Sequence, residues 1–392
     1  MSQTVPIVIP AFRRTGSLTR LVTSLLRADI PDNVRLIIAI DRAANSRYTA
    51  DNQAVVELAR AVHWPHGPLD IIWHEQPLGL MGNTYFCHSL AAEYGAVIVL
   101  EDDLVVGRPF YTYAMQALAA YGNDPRIAGI SLNTLWYNGF THQPFIPLPD
   151  SADVFFLQLG TPQGQLYTAD QWQAYSNWVS AADRKPADER VHPLVAQMPK
   201  TDWLPNTIRY LAATDRYYVF PRESLTVSFG DAGTHISQNT DFFQVPVQDF
   251  QRGYRLGSLD ESAAVYDTFY EPQPTVLAQL CPVLAGIDFA VDLYATKQPE
   301  QLMSDLVLTT RPADKSLMGF ARTMRPMEAN VIHNIGGDEI VLAKVSDVDF
   351  SASATAIAQA ANDAYFNRHQ TAGCRSPWFN RFARWRSGRR TR

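Results

Sequence analysis

The run Ala96–Val106, AVIVLEDDLVV, restricts what this chain can fold into more than any other stretch. Its five consecutive apolar residues predict a strand buried on both faces, the kind found inside a mostly parallel sheet. Open sheets of that class place their ligands just beyond the carboxyl ends of the strands. There the run stops on Glu101, Asp102 and Asp103. Carboxylates crowded together repel each other unless a cation or a proton compensates. Hard oxygen ligands suit Mg²⁺ or Mn²⁺, which in turn bind phosphate oxygens. A solvated acidic turn is the plainer reading of the same triplet.

The flanking sequence repeats the rhythm. Val5–Pro10 and Leu36–Ile40 are short apolar runs, the second ending on Asp41. Between them Leu18, Leu21, Val22, Leu25 and Leu26 recur at the helical period, with Ser17 placed to cap. A helix over Asp51–Val62, a strand near Leu69–Trp73 and a glycine-bearing turn from Pro77 to Gly82 follow, and that turn opens a helix to about Tyr94. Pro109 opens another helix, and Ile127–Leu132 reads as one more strand. This alternation predicts an α/β fold with a parallel, doubly wound sheet. From Asp153 to about Phe250 the pattern loosens into aromatic, irregular segments of the kind that wall pockets. Beyond it, Ile287–Tyr294, Leu306–Thr310 and Ile340–Val345 read as short strands, and Ala354–Phe366 as a closing helix. The expected organisation is a first domain over 1–250, a β-rich domain over 251–372 and a basic, aromatic tail over 373–392.

A chain of 392 residues is long for one core, which is why two domains are expected. Hydrophobic residues at 46% and charged residues at 18% describe a globular protein. A net charge of −6 argues against nucleic acid as the main partner. Cys87, Cys281 and Cys374 are too few and too scattered for a disulfide frame or a zinc site. No run of eighteen apolar residues occurs, and MSQTVPIVIPAF carries no basic region ahead of its short apolar run. A cytoplasmic protein is expected, held on a membrane by its surface if at all.

Rival nucleotide sites fail on their motifs. The first strand leads into AFRRTGS instead of a G-x-G-x-x-G turn, and no G-x-x-x-x-G-K-[ST] occurs. The glycine-rich, arginine-containing opening loop of sugar-nucleotide pyrophosphorylases is missing too. VPIVIPAFRR, RLIIAIDRA and VIVLEDDLVVGRPFYTY together resemble a glycosyltransferase of the GT-A fold. The likeness is to the N-acetylglucosaminyltransferases that begin complex N-glycans and to bacterial capsule and lipopolysaccharide transferases. Further blocks follow in order. Ile130–Gly139 is similar to that family's strand leading to Asn-Gly, and VFFLQLGTPQGQLY to its FFPGLGW loop. Pro221–Phe243 resembles its stretch of Arg-Pro-Glu, Thr-Phe-Gly and Ser-His-Gly. The resemblance covers roughly residues 4–245 and implies a Rossmann-like nucleotide-sugar domain.

It also implies roles. Asp103 would ligate the Mn²⁺ or Mg²⁺ that bridges the nucleotide diphosphate, with Glu101 and Asp102 nearer ribose and diphosphate. Arg13 and Asp41 would hold the uridine, and Gly164, His235 and Ser237 would line the donor site. His235 is also a candidate metal ligand. An inverting transferase needs a carboxylate to take the acceptor's proton. The family's Trp-Asp-Asp-Trp segment is matched only by Lys200-Thr-Asp-Trp203, which points to Asp202, with Asp170 in TADQW as the alternative. Seven arginines from Arg375 onward interleave with Trp378, Phe379, Phe382 and Trp385, a composition suited to anionic lipid headgroups. The expected activity is metal-dependent, inverting transfer from a UDP-sugar to a glycan or lipid-linked glycan in surface polysaccharide synthesis. A nucleotidyltransferase acting on a sugar phosphate, and a non-catalytic glycan-binding scaffold, are the alternatives.

Overall fold

The computed structural model describes residues 4–181, 187–198, 202–232, 238–241 and 244–351. Its first four principal strands are β1 (Ile7–Ala11), β2 (Leu36–Ile40), β3 (Leu69–Trp73) and β4 (Ala96–Val99). They pair in parallel in the order β4-β1-β2-β3. Between them run α1 (Thr15–Arg27), α2 (Thr49–Ala61), α3 (Gly79–Ser89) and α4 (Ala91–Tyr94). Parallel neighbours need such crossovers, and β2 and β4 are buried along their whole length because helices cover both faces. Val8, Ile37, Ala39, Val97 and Val99 pack on one face, while Ile7, Ile9, Ile38 and Ile98 pack on the other against α1 and α2. The period-2 alternation of strand side chains divides them in this way. Ser17 does not cap α1; the helix starts at Thr15, and Ser17 lies buried within its first turn.

After β4 the chain turns through the acidic triplet into β5 (Leu104–Val106), α5 (Phe110–Tyr121) and β6 (Ile127–Ser131). The next segment is more regular than its sequence suggests. It supplies β7 (Val154–Leu157), β8 (Gln165–Thr168), α6 (Ala169–Ser180), α7 (Pro193–Gln197), α8 (Trp203–Thr214), β9 (Tyr217–Pro221) and β10 (Thr226–Ser228). β8 inserts antiparallel between β4 and β6, and β9 and β7 extend the sheet outward. The sheet is therefore mostly parallel, as expected. Three of its pairings are antiparallel, because β7 and β8 return by loops instead of crossover helices.

The last strand of this sheet, β11 (Val265–Tyr266), pairs with β7 and gives nine strands in the order β11-β7-β9-β6-β8-β4-β1-β2-β3. It lies beyond the expected boundary at residue 250, so the first sheet closes only at Tyr266. α9 (Pro274–Leu280) then leads to a second sheet, followed in turn by β12 (Ala290–Asp292), β13 (Leu306–Thr309), β14 (Met318–Phe320), α10 (Glu328–Ile332) and β15 (Ile340–Lys344). Its strand order is β12-β13-β15-β14. Tyr266, Leu277, Leu308 and Ile340 share one apolar cluster with Phe155 and Tyr218 of the large sheet, so the two sheets pack against a common core. The expected helix over Ala354–Phe366 and the tail lie outside the described residues.

Candidate functional site

The parallel strands β1, β2, β3 and β4 all end at one edge, and buried asparagines hold the tips of β1 and β2 there. Asn52 of α2 donates to the carbonyls of Phe12 (2.7 Å) and Asp41 (2.8 Å). Asn83 of α3 donates to the Ala39 carbonyl (3.0 Å), and its Oδ1 meets His74 Nε2 at 2.9 Å. Backbone groups at strand ends need partners when buried, and these side chains supply them. The sequence reading missed both; the signal was an asparagine on an otherwise buried helix face.

Glu101–Asp103 form the turn at the tip of β4. Asp102 is buried, and Arg14, in the loop after β1, bridges the pair: its guanidinium contacts Asp102 and donates to Asp103 Oδ2 at 3.0 Å. Burial pushes the Asp102 carboxyl up to about 6 against the pull of Arg14. Burial, followed by the charges of Asp103 and Asp102, pushes Glu101 up to about 8. Asp103 Oδ1 is buried and meets no donor among the described residues. A buried carboxylate oxygen without a partner is costly, and a cation is one group that could offset that cost.

Arg13, expected to hold the uridine, follows β1 at the same edge. Its guanidinium lies over the Tyr48 ring at 4.8 Å, with Arg47 at 5.3 Å from the same ring. Arg42 lies over Trp73 at 4.1 Å. None of the three has a carboxylate within salt-bridge reach among the described residues, so the rim of this edge carries uncompensated positive charge. Asp41 is buried and accepts from the backbone N–H groups of Arg42 (2.9 Å), Leu78 (2.7 Å) and Gly79 (2.9 Å). It therefore fixes the turn that opens α3, where Gly79 takes φ +73°.

Gly164 reaches the same edge. It precedes Gln165, which pairs with Val99 at the tip of β4, and its carbonyl accepts from Leu132 N at 3.0 Å. At φ +99° a side chain there would also press on Thr226 at 3.0 Å. Asp202 stands at the N-terminus of α8, and its side chain makes no cap hydrogen bond. Because α8 leads directly into β9, which runs parallel to β6, its N-terminus lies toward the carboxyl edge. The helix start meets the loop before β8: a Cβ on Gly160 would lie 3.1 Å from Trp203 and 3.0 Å from Thr207.

Asp170 goes elsewhere. It is exposed in the first turn of α6, immediately after Thr168, which pairs with Ala96 at the opposite end of β4. Antiparallel insertion of β8 carries it to the far edge of the sheet, away from Glu101–Asp103. His235 and Ser237 lie outside the described residues. Of the described residues that precede them, Phe229 N donates to the Asp103 carbonyl at 3.0 Å, and Asp231 accepts from Ser17 Oγ at 2.7 Å and pairs with Arg20.

Among the described residues no three His, Cys, Asp or Glu side chains converge to hold a metal. One free carboxylate oxygen is still in keeping with Mg²⁺ or Mn²⁺ chemistry, since such ions are commonly held by one or two carboxylates, waters and substrate phosphates.

Fold and edge together define an α/β protein with an acidic turn and an arginine rim at the carboxyl end of its sheet. Solved structures similar to it include that of S. aureus TarS 1–349, at 11% identity and TM-score 0.34 over 57% of this chain and 59% of that one. The TarS 1–349 complex with UDP-GlcNAc matches at 15% identity and TM-score 0.31, over 56% of this chain and 59% of that one. A longer TarS structure matches at 13% and 0.36, over 57% of this chain and 36% of that one. The matches thus span less than two thirds of the TarS chains. No protein-family model matches the chain, and no curated protein matches it.

Proposed function

We propose that this chain is an inverting glycosyltransferase that moves a sugar from a UDP-sugar to a hydroxyl of a glycan or glycolipid acceptor. One juxtaposition carries the reading: a buried carboxylate oxygen on Asp103 shares a sheet edge with Arg13, Arg42 and Arg47, and none of these groups has a partner of opposite charge or a matching donor among the described residues. A nucleoside diphosphate needs cationic groups for its phosphates and an aromatic surface for its base. Tyr48 and Trp73, each with an arginine over the ring, supply that kind of surface.

Asp103 would hold Mn²⁺ or Mg²⁺, which when bound supplies charge neutralisation for the departing diphosphate. Arg14 keeps Asp102 and Asp103 apart from free repulsion and orients the second carboxylate. Asp202 takes the proton from the acceptor hydroxyl as that oxygen bonds to the anomeric carbon. The bond from that carbon to the diphosphate breaks on the opposite face, and its electron pair leaves with UDP. The composition of the tail supports a site of action at an anionic membrane surface on the cytoplasmic side, in surface polysaccharide synthesis. No helix among the described residues is long and apolar enough to cross a membrane.

Calorimetry with UDP tests the donor site. The wild type should bind at least about tenfold more tightly with Mn²⁺ than with chelator, a difference of about 1.4 kcal/mol, and Asp103→Asn should remove that difference. Equal affinity with and without Mn²⁺ in the wild type would sink the cation bridge. Asp202→Asn should leave UDP affinity unchanged and cut turnover by about 10²–10⁴, the usual contribution of a positioned base. Full turnover in that variant would exclude Asp202 as the base.

A further inference from the structure

A second concentration of uncompensated positive charge lies on the other lobe. The chain between β14 and α10 carries Arg322 and Arg325 on a turn held rigid from beneath. Asn330, fully buried, accepts from Thr323 N and Met324 N at 2.9 Å each and donates to the Met327 carbonyl at 2.9 Å. One side chain thus ties together the backbone on both sides of Arg325 in the turn that carries the two arginines. Neither arginine has a carboxylate within salt-bridge distance among the described residues, in contrast to Arg222 and Arg311. Arg322 is half-buried, and among the described residues its guanidinium donates to a neutral amide, Gln143 Oε1, at 3.3 Å.

The acids nearby are spent or out of reach. Glu328 is buried and accepts from Tyr266 Oη at 2.8 Å, and Glu339 acts on Arg322 only at longer range. Burial, and then the like charge of Arg325, pull the Arg322 guanidinium below its ordinary range. Arg325, three residues on, is near enough for its charge to act on Arg322, and an oxyanion bound by both would relieve that repulsion through charge-assisted hydrogen bonds.

The partner amide belongs to the hairpin after β6, in which Tyr137 bridges Pro144. Tyr294 Oη of the second lobe donates to the Pro144 carbonyl at 3.1 Å and holds the hairpin down. On its other side Phe140 stacks on His192 at 4.1 Å, and His192 caps α7, the last described helix before Asp202. The arginine turn and the chain that leads to the candidate base therefore grip the same hairpin.

We propose that Arg322, Arg325 and Gln143 form a binding site for an oxyanion, a phosphate or carboxylate group borne by the acceptor. The oxyanion site stands on its own geometry; its assignment to an acceptor rests on the transferase reading. Guanidinium groups match both anions through paired N–H donors, and Gln143 turned about its own axis offers an N–H as a third.

The test uses the full chain, titrated with inorganic phosphate and separately with acetate at constant ionic strength, with binding read from thermal midpoints. Wild type is compared with Arg322→Gln/Arg325→Gln and with Arg322→Lys/Arg325→Lys. Any binding at Arg13, Arg42 and Arg47 is common to all three proteins and cancels. The glutamine pair should bind phosphate at least about tenfold more weakly, and the lysine pair should recover part of the loss because charge is retained but the planar fork is not. Stronger binding of phosphate than acetate identifies a phosphate-bearing acceptor, and the reverse a carboxylate-bearing one. Equal phosphate affinity in wild type and the glutamine pair overturns the site. Failure of the wild type to release UDP from any of a panel of UDP-sugars would overturn the transferase reading instead, and would leave the oxyanion site standing.

Discussion

At the residue scale, the neighbours Arg13 and Arg14 show how far a sequence resolves a site. The pair stands out after the first strand, and its place at the sheet edge follows from that position. Which of the two faces the acids depends on the backbone at the start of α1, where Arg14 takes φ −101° outside the helix, and no periodicity encodes that. Arg14→Gln removes the counterion of two carboxylates, one of them buried. Breaking a fully buried pair costs about 3–5 kcal/mol. Arg14 is 27% exposed, so a loss nearer about 2 kcal/mol is expected in urea unfolding. Arg14→Lys should recover only part of it, since an ammonium cannot span both carboxylates as a guanidinium does. An unchanged urea midpoint for Arg14→Gln would show that water compensates the acids. Asp41 teaches a related lesson. Its position at a strand tip was legible, but its use as an acceptor for the 78–79 backbone was not, because the partners are N–H groups that every residue carries.

The element scale separates what hydrophobic periodicity reveals from what it hides. β1, β2, β4 and the helices between them were readable because each has a long apolar run or a 3.6-residue stripe. β7, β8 and β9 were not. They are four or five residues long, rich in Phe and Tyr, and joined by loops, so they resemble pocket wall. The cost was the exchange of edges at Asp170, since its place depends on the direction of β8. In the same region Gly129 of β6 lies between two tyrosines. A Cβ there would sit 2.8 Å from the Tyr218 ring and 2.9 Å from that of Tyr167, whose hydroxyls are themselves hydrogen-bonded together. Gly129→Ala should therefore destabilise by about 1–3 kcal/mol, the usual cost of overpacking. Denaturant titration measures it, and a wild-type midpoint would mean that the rings can withdraw.

For the whole molecule, the shared core sets the response to acid. His88 is buried among Tyr167, Trp172 and Trp203, and burial lowers its imidazole to about 3; burial lowers His192 to about 4. Below about pH 6.5 the unfolded chain takes up protons that these folded rings refuse. Their contribution to stability is complete above that pH and is lost progressively as pH falls toward 4. Glu328, raised to about 7 by burial, works the other way: its contribution is complete at low pH and is lost as pH rises from about 4.5 to 7. His88→Leu should narrow the gap between urea midpoints measured at about pH 4.5 and about pH 7, the window that the lowered pKa defines. An identical gap in the two proteins would acquit the ring. The turn that bears the carboxylates has a different dependence, a mechanical one. β4 belongs to the nine-stranded sheet, whereas β5, which begins after four intervening residues, pairs with β10 in a two-stranded ribbon. The Asp103 carbonyl holds the end of that ribbon through Phe229, and Asp231 moors the next residues to α1. Glu101–Asp103 thus connects the sheet to the ribbon, which Leu104 and Val106 seat in the same apolar cluster as Ile7 and Ile98. The position of the carboxylates is therefore set from two sides at once, by the end of β4 and by the ribbon moored to α1.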